Sequence, residues 1–150
     1  LSIKNIITLS STPTISTGIY ASGDLLGTLM KFKNADLSKD QRCMIQSLVL
    51  VDQDKESVST DVIFFSSNPS GTTFTDNAAL DIADADMSKI VHVESLTSYN
   101  AFNDNSVAVS QAMTIPITYT DGIYVCLVTR GTPTYTAVTD IVLSLTIIQE

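Results

Sequence analysis

The stretch DGIYVCLVTRGTPTYTAVTDIVLSLTIIQ, residues Asp121 to Gln149, holds two runs of β-type residues joined by a Thr-rich connection containing Gly131 and Pro133. In the first run Ile123, Val125 and Leu127 alternate with Tyr124, Cys126 and Val128, so both faces are apolar and a central strand is predicted. In the second, Ile141, Leu143, Leu145 and Ile147 share one face while Ser144 and Thr146 interrupt the other, the pattern of a strand with one buried side. The two runs read as a hairpin. Such a pair cannot bury its own apolar faces, so the rest of the chain must supply an opposing sheet.

Working outward, Met113 to Tyr119 alternates cleanly, and Pro116, which has no N–H to give to a ladder, predicts a sheet edge or a bulge there. Cys43 to Val51 is apolar on both faces and reads as an interior strand. The polar reversal Asp52 to Glu56 joins it to Val58–Phe65, and the three together are expected to form a second hairpin. Thr12 to Phe32 is dense in turn residues, Asn34 to Arg42 is a polar loop, and Ser66 to Thr73 is a turn region. Asp76 is the expected N-cap of a short helix with Ala78, Ala79, Ile82 and Ala83 on one face. Lys89 to Val93 resumes strand character, and the polar segment Ser95 to Ser106 carries Tyr99 and Phe102. The expected fold is all-β, a jelly-roll-like β-sandwich of roughly seven to nine strands with one helical insertion. Residues 12–150 form one sandwich domain in this reading, and residues 1–11 are its first strand or a docking arm.

Hydrophobic residues make up 44% of the 150 and charged ones 16%, a low charge fraction that leaves Ser, Thr and Asn to cover the surface. A net charge of -8 repels phosphate backbones and anionic lipid, so nucleic acid and membrane surfaces are not expected partners. No apolar run approaches a bilayer span. The opening LSIKNIITLSS lacks a signal-peptide pattern, and a leader removed ahead of Leu1 is left open. Cys43 and Cys126 both fall inside expected strands and read as buried thiols, with a disulfide between neighbouring strands as the alternative.

Chemistry is not announced anywhere. His92, the single histidine, sits between Val91 and Val93 with no nucleophile or second acid marked out beside it. The acidic groups Asp52, Asp54, Glu56 and Asp81, Asp84, Asp86 lack the spacing of a calcium loop and read as solvated turns. Ser22-Gly23-Asp24 and Ser70-Gly71 are turns without a nucleophile-elbow context. The expectation is a protein that is not an enzyme and that holds no cofactor and no metal.

From about Thr12 to its end the chain resembles a group of small virion structural proteins of tailed bacteriophages. The resemblance is carried by Tyr20, Gly23, Asp24 and Gly27, by the Asp-bearing reversal, by a Phe-containing strand followed by Asn68-Pro69, by Thr75-Asp76-Asn77-Ala78, and by Arg130-Gly131-Thr132-Pro133-Thr134-Tyr135. These motifs mark a scaffold rather than a catalytic centre. The resemblance implies a capsid decoration or cement protein, made in the host bacterial cytoplasm and placed on the virion surface. It would bind the major capsid protein as a homotrimer or other homo-oligomer. A tail, fibre or adaptor component is the alternative within the class. A receptor or carbohydrate-binding module is the alternative outside it, with Tyr99, Phe102, Tyr119 and Tyr135 as aromatic platforms or, more simply, as packed rings. Expected interface residues are Leu1, Ile3 and Ile6 in the arm, Tyr99 and Phe102 in the polar segment, and Arg130 and Tyr135 in the last connection.

Overall fold

A computed structural model describes residues 5–32 and 41–149. Its strands are β1 (Asn5–Ser11), β2 (Met30–Phe32), β3 (Gln41–Asp52), β4 (Thr60–Phe65), β5 (Ile90–Leu96), β6 (Asn100–Ala101), β7 (Ser106–Ser110), β8 (Ile115–Tyr119), β9 (Ile123–Thr129) and β10 (Ile141–Gln149). One sheet runs β1-β10-β3-β7-β6 with β8 also on β3, and the other runs β2-β9-β4-β5, with every pairing antiparallel. Each sheet thus interleaves strands from the two ends of the chain, which is jelly-roll order and bears out the expected β-sandwich. The described residues hold ten strands, where roughly seven to nine were expected. The three-residue β2 and two-residue β6 are too short for alternation to reveal.

Neither expected hairpin forms. β9 lies in the four-stranded sheet and β10 in the six-stranded one, and β4 and β3 are divided in the same way. Both connections are arches that carry the chain across the sandwich. Alternation shows which side chains share a face but is silent on whether the next strand pairs or crosses, since that depends on the backbone of the loop. Between β3 and β4 the loop turns with positive φ at Lys55 (55°) and Ser57 (51°), which takes the chain out of the plane of its sheet.

The main core lies between the sheets. Leu48, Leu50, Leu143 and Leu145 from one meet Val62, Phe64, Val125 and Leu127 from the other, all fully buried. A second cluster covers the back of the four-stranded sheet, where Ile63, Phe65, Tyr124, Cys126 and Val128 pack under Leu25, Leu29, Phe74, Leu80 and Ile82. This explains why β9 is apolar on both faces. Cys43 and Cys126 belong to different clusters and are unpaired, and burial pushes both thiols up to about 12.

β7 and β8 lie end to end along β3, with the break at Ala112 (φ 56°), where Met113 N–H reaches the Gln46 carbonyl at 2.8 Å. Gln46 is the extra residue of a bulge where β3 slips register against β10. Pro116 lies on β8, whose ladder partner among the described residues is β3, so the missing N–H falls at a sheet edge as expected.

The helix is displaced from its expected place. A single turn, α1, spans Asp84–Met87, while residues 76–83 are non-helical because Asn77 takes φ 56°. Asp76 is no N-cap. Its Oδ1 accepts the Tyr20 hydroxyl at 2.7 Å and the Gly27 N–H at 2.6 Å, tying the covering segment to the turn before β2. Gly27 itself has φ 78°, and a Cβ there would stand 2.6 Å from Pro13 Cβ, part of a ring that cannot swing aside. Gly27→Ala is therefore expected to lower the unfolding free energy by about 2 kcal/mol in urea titrations, and a loss below ~0.5 kcal/mol would contradict this account.

Candidate interaction surface

Four connections meet at one end of the sandwich, residues 12–20, 52–59, 97–105 and 130–140. The last lies between the others. Ile15 N–H donates to the Val138 carbonyl (3.1 Å) and Tyr20 N–H to that of Pro133 (3.0 Å), so residues 12–20 line one side of it. On its other side Asp54 accepts Thr136 N–H at 2.9 Å and Glu56 accepts Thr134 N–H at 3.0 Å. Lys55 Nζ donates to the Asn103 carbonyl at 3.3 Å, which brings in the fourth connection.

Buried carboxylates hold the two arches in shape. Asp52, 1% exposed, accepts the N–H groups of Asp54 (3.0 Å) and Ser57 (2.7 Å), and Asp140 accepts that of Ala137 at 2.8 Å. Asp52, Asp54 and Glu56, read as solvated, are therefore turn-formers whose oxygens are engaged by backbone donors, whereas Asp81 and Asp84 are exposed as expected. On the other acidic stretch, Asp86 accepts from Lys89 Nζ (2.8 Å) and the Thr72 hydroxyl (2.7 Å). His92 Nε2 lies 2.8 Å from Glu94 Oε2, with its ring tilted against Phe64.

What this end offers a partner is shape and apolar contact. Ile19 is 69% exposed, Phe102 60% and Val138 46%, each from a different connection. Phe102 and Arg130, two of the expected interface residues, are exposed at this end. Arg130 is half-exposed, and its Nε donates to Asp61 at 2.7 Å, an ion pair that fixes the guanidinium in place. Tyr99 is half-buried against the core with its hydroxyl 3.4 Å from that of Thr60, and burial raises its pKa. Tyr135 requires correction. It is 3% exposed and packs edge-on to Tyr20 at 6.1 Å, because the connection folds back over the core instead of standing out from it. Tyr119 is also buried, its hydroxyl accepting Gln149 Nε2 at 2.7 Å, so neither ring is a platform. Leu1 and Ile3 lie outside the described residues. Sequence reading missed Ile19 and Val138, isolated apolar residues in loops whose one signal is the lack of an alternating partner.

Ile6 stands elsewhere, on the outer face of the six-stranded sheet. Cross-strand rows build that face. Ile6, Ile148, Met44 and Pro116 form the first, and Thr8, Thr146 and Ser47 the second. Ser10, Ser144, Val49 and Val109 form the third, and Val142, Val51 and Val107 the fourth. None of these residues is buried, and none is charged.

No family model matches the chain, and no curated protein does. Among solved structures, one chain of "Israeli acute paralysis virus heated to 63 degree - full particle" is similar across 99% of this chain and 67% of its own, at 10% identity and a TM-score of 0.26. That overlap is too loose to carry an argument.

Proposed function

We propose that this protein is a virion structural protein of a tailed bacteriophage, a capsid decoration or cement protein that binds the major capsid protein through its loop end. The observation that carries the reading is the stitched, apolar-tipped set of four connections, in which Asp52, Asp54, Glu56 and Asp140 are committed to backbone donors. Such an end works by complementarity, not by proton transfer, and the proposed role is accordingly non-enzymatic. The sequence resemblance supplies the class of particle, and jelly rolls are a fold in which capsid and lectin domains are both found. Within those options the inward-turned Tyr119 and Tyr135 favour docking on a shell over stacking on a sugar.

The test is a cryo-EM reconstruction of the parent particle, in which many copies on the capsid surface are expected. Copies confined to a unique tail vertex would assign the chain to the tail instead. In binding assays on shells lacking the protein, the double variant Ile19→Asp/Phe102→Asp should bind at least ~10-fold more weakly with an unchanged melting temperature, as exposed apolar anchors do. Undiminished binding would move the interface away from the loop end.

A further inference from the structure

We infer that the outer face of the six-stranded sheet is a two-fold interface between two copies of this chain. The two sheets differ in how their backs are treated. The four-stranded sheet is covered by the chain's own Leu25, Phe74, Leu80 and Ile82, while nothing among the described residues covers the other. On the bare face β10, paired on both sides, has nine residues, and four strands lie abreast, which at strand spacings gives roughly 600 Å² before side-chain relief is added. That is at the upper limit of what monomers leave bare and approaches the ~800 Å² per partner of a standard interface.

Charge selects the occupant. Each copy carries -8, so two copies repel wherever their acidic surfaces meet. Among the described residues this face has no carboxylate, and the one charge there, Arg42, stands at the end opposite Thr118. A charged partner gains nothing here, whereas a second copy brings its neutral face and keeps its acidic surfaces apart.

The pattern also matches itself. The aliphatic first and fourth rows flank the hydroxyl-bearing second and third, so a two-fold axis lying in the plane of the interface and across the strands sets the first row on the fourth, Thr8 on Ser10 and Thr146 on Ser144. The band is ready for burial, because Ser10 and Ser144 hydroxyls bond each other at 2.7 Å and those of Thr8 and Thr146 approach at 3.4 Å. Paired hydroxyls lose less on leaving water than free ones. Two sheets meeting in this way pack aligned, about 10 Å apart.

The inference does not rest on the virion reading and is tested on the free full-length chain by sedimentation equilibrium. Wild type is expected to be a dimer at micromolar concentration. Val49→Lys, at the centre, and Val109→Lys, 42% exposed, should each weaken dimerisation at least ~100-fold with an unchanged near-ultraviolet circular dichroism spectrum. Should Val49→Lys fail to fold, Val109→Lys carries the test. Ile19→Lys, at the loop end, should leave the dimer intact. Raising NaCl from about 50 to 500 mM should tighten the dimer or leave it unchanged, since salt screens the repulsion. A monomer up to ~100 μM, a trimer or larger ring, a dimer indifferent to both lysines, one lost in Ile19→Lys, or one weakened by salt would each overturn it.

Discussion

Asp52→Ala is expected to lower the unfolding free energy by about 4 kcal/mol in urea or guanidinium titrations. Its carboxylate accepts two backbone N–H groups inside the protein, from Ser57 at 2.7 Å and Asp54 at 3.0 Å, and each donor left unmet costs about 1–3 kcal/mol. The same bonds hold Lys55 and Ser57 at positive φ, a conformation that neither residue favours by itself. Without them the crossing from β3 to β4 has no reason to keep its path. Asp52→Asn keeps one acceptor oxygen and should lose about half as much. Asp140→Ala should be destabilising for the same reason, but the double variant should fall short of the sum by ~1 kcal/mol. The coupling follows because the arches share the Gln53 N–H to Asp140 carbonyl bond (2.9 Å) as well as the Asp54 and Glu56 contacts. A loss below ~1 kcal/mol for Asp52→Ala would show that the loop shapes itself.

Acid titration sharpens the same result. Burial holds the Asp52 carboxyl above its ordinary range, outweighing the Ser57 and Asp54 donors that pull it down. A raised folded value means the native state keeps a proton that the unfolded chain has released. The stability from this group is fully present below the unfolded value near ~3.9 and is lost as pH rises through the folded one. The gap between wild type and Asp52→Ala should therefore narrow from about pH 3 to pH 7. Asp86 works in the opposite sense. Lys89 and then Thr72 hold its carboxyl low, so its contribution is present above the unfolded value and fades as pH falls through the folded one.

Burial was legible in the sequence where alternation alone determines it. The inward face of β10 matches the expected one residue by residue, and β9, read as apolar on both faces, is buried on both. Pairing was not legible, because a hairpin and an arch have the same flanking alternation and differ in a few backbone angles, here at Lys55 and Ser57. A capping carboxylate such as Asp52 has the same composition as a solvated one. The helix failed for a similar reason, since Asn77 at φ 56° frees Asp76 to bond Tyr20 and Gly27. Of the surface residues, Phe102 was visible as an aromatic in a polar segment, whereas the bare sheet face was not, since exposure of alternate Ser, Thr and Val depends on whether another segment covers them.

Tyr135→Ala separates the two accounts of the Arg130–Tyr135 connection most sharply. A ring presented to a partner would be dispensable for folding, and its removal would change assembly alone. A ring 3% exposed, edge-on to Tyr20 and pushed to a raised pKa by burial, is part of the core. Its loss opens a cavity beneath the arch that Asp140 caps and removes an aromatic pair, so a destabilisation of about 4 kcal/mol is expected. Tyr20 is anchored independently through its hydroxyl to Asp76 at 2.7 Å and through the Ser16 N–H at 2.7 Å, so it cannot swing in to fill the space. Arg130→Ala is the contrasting control. Its exposed ion pair with Asp61 is expected to contribute under ~1 kcal/mol, because Ser95 continues to bond the other Asp61 oxygen at 2.7 Å. If Tyr135→Ala instead melts like wild type while weakening attachment to shells, the connection must open outward in solution and the ring is a contact residue after all.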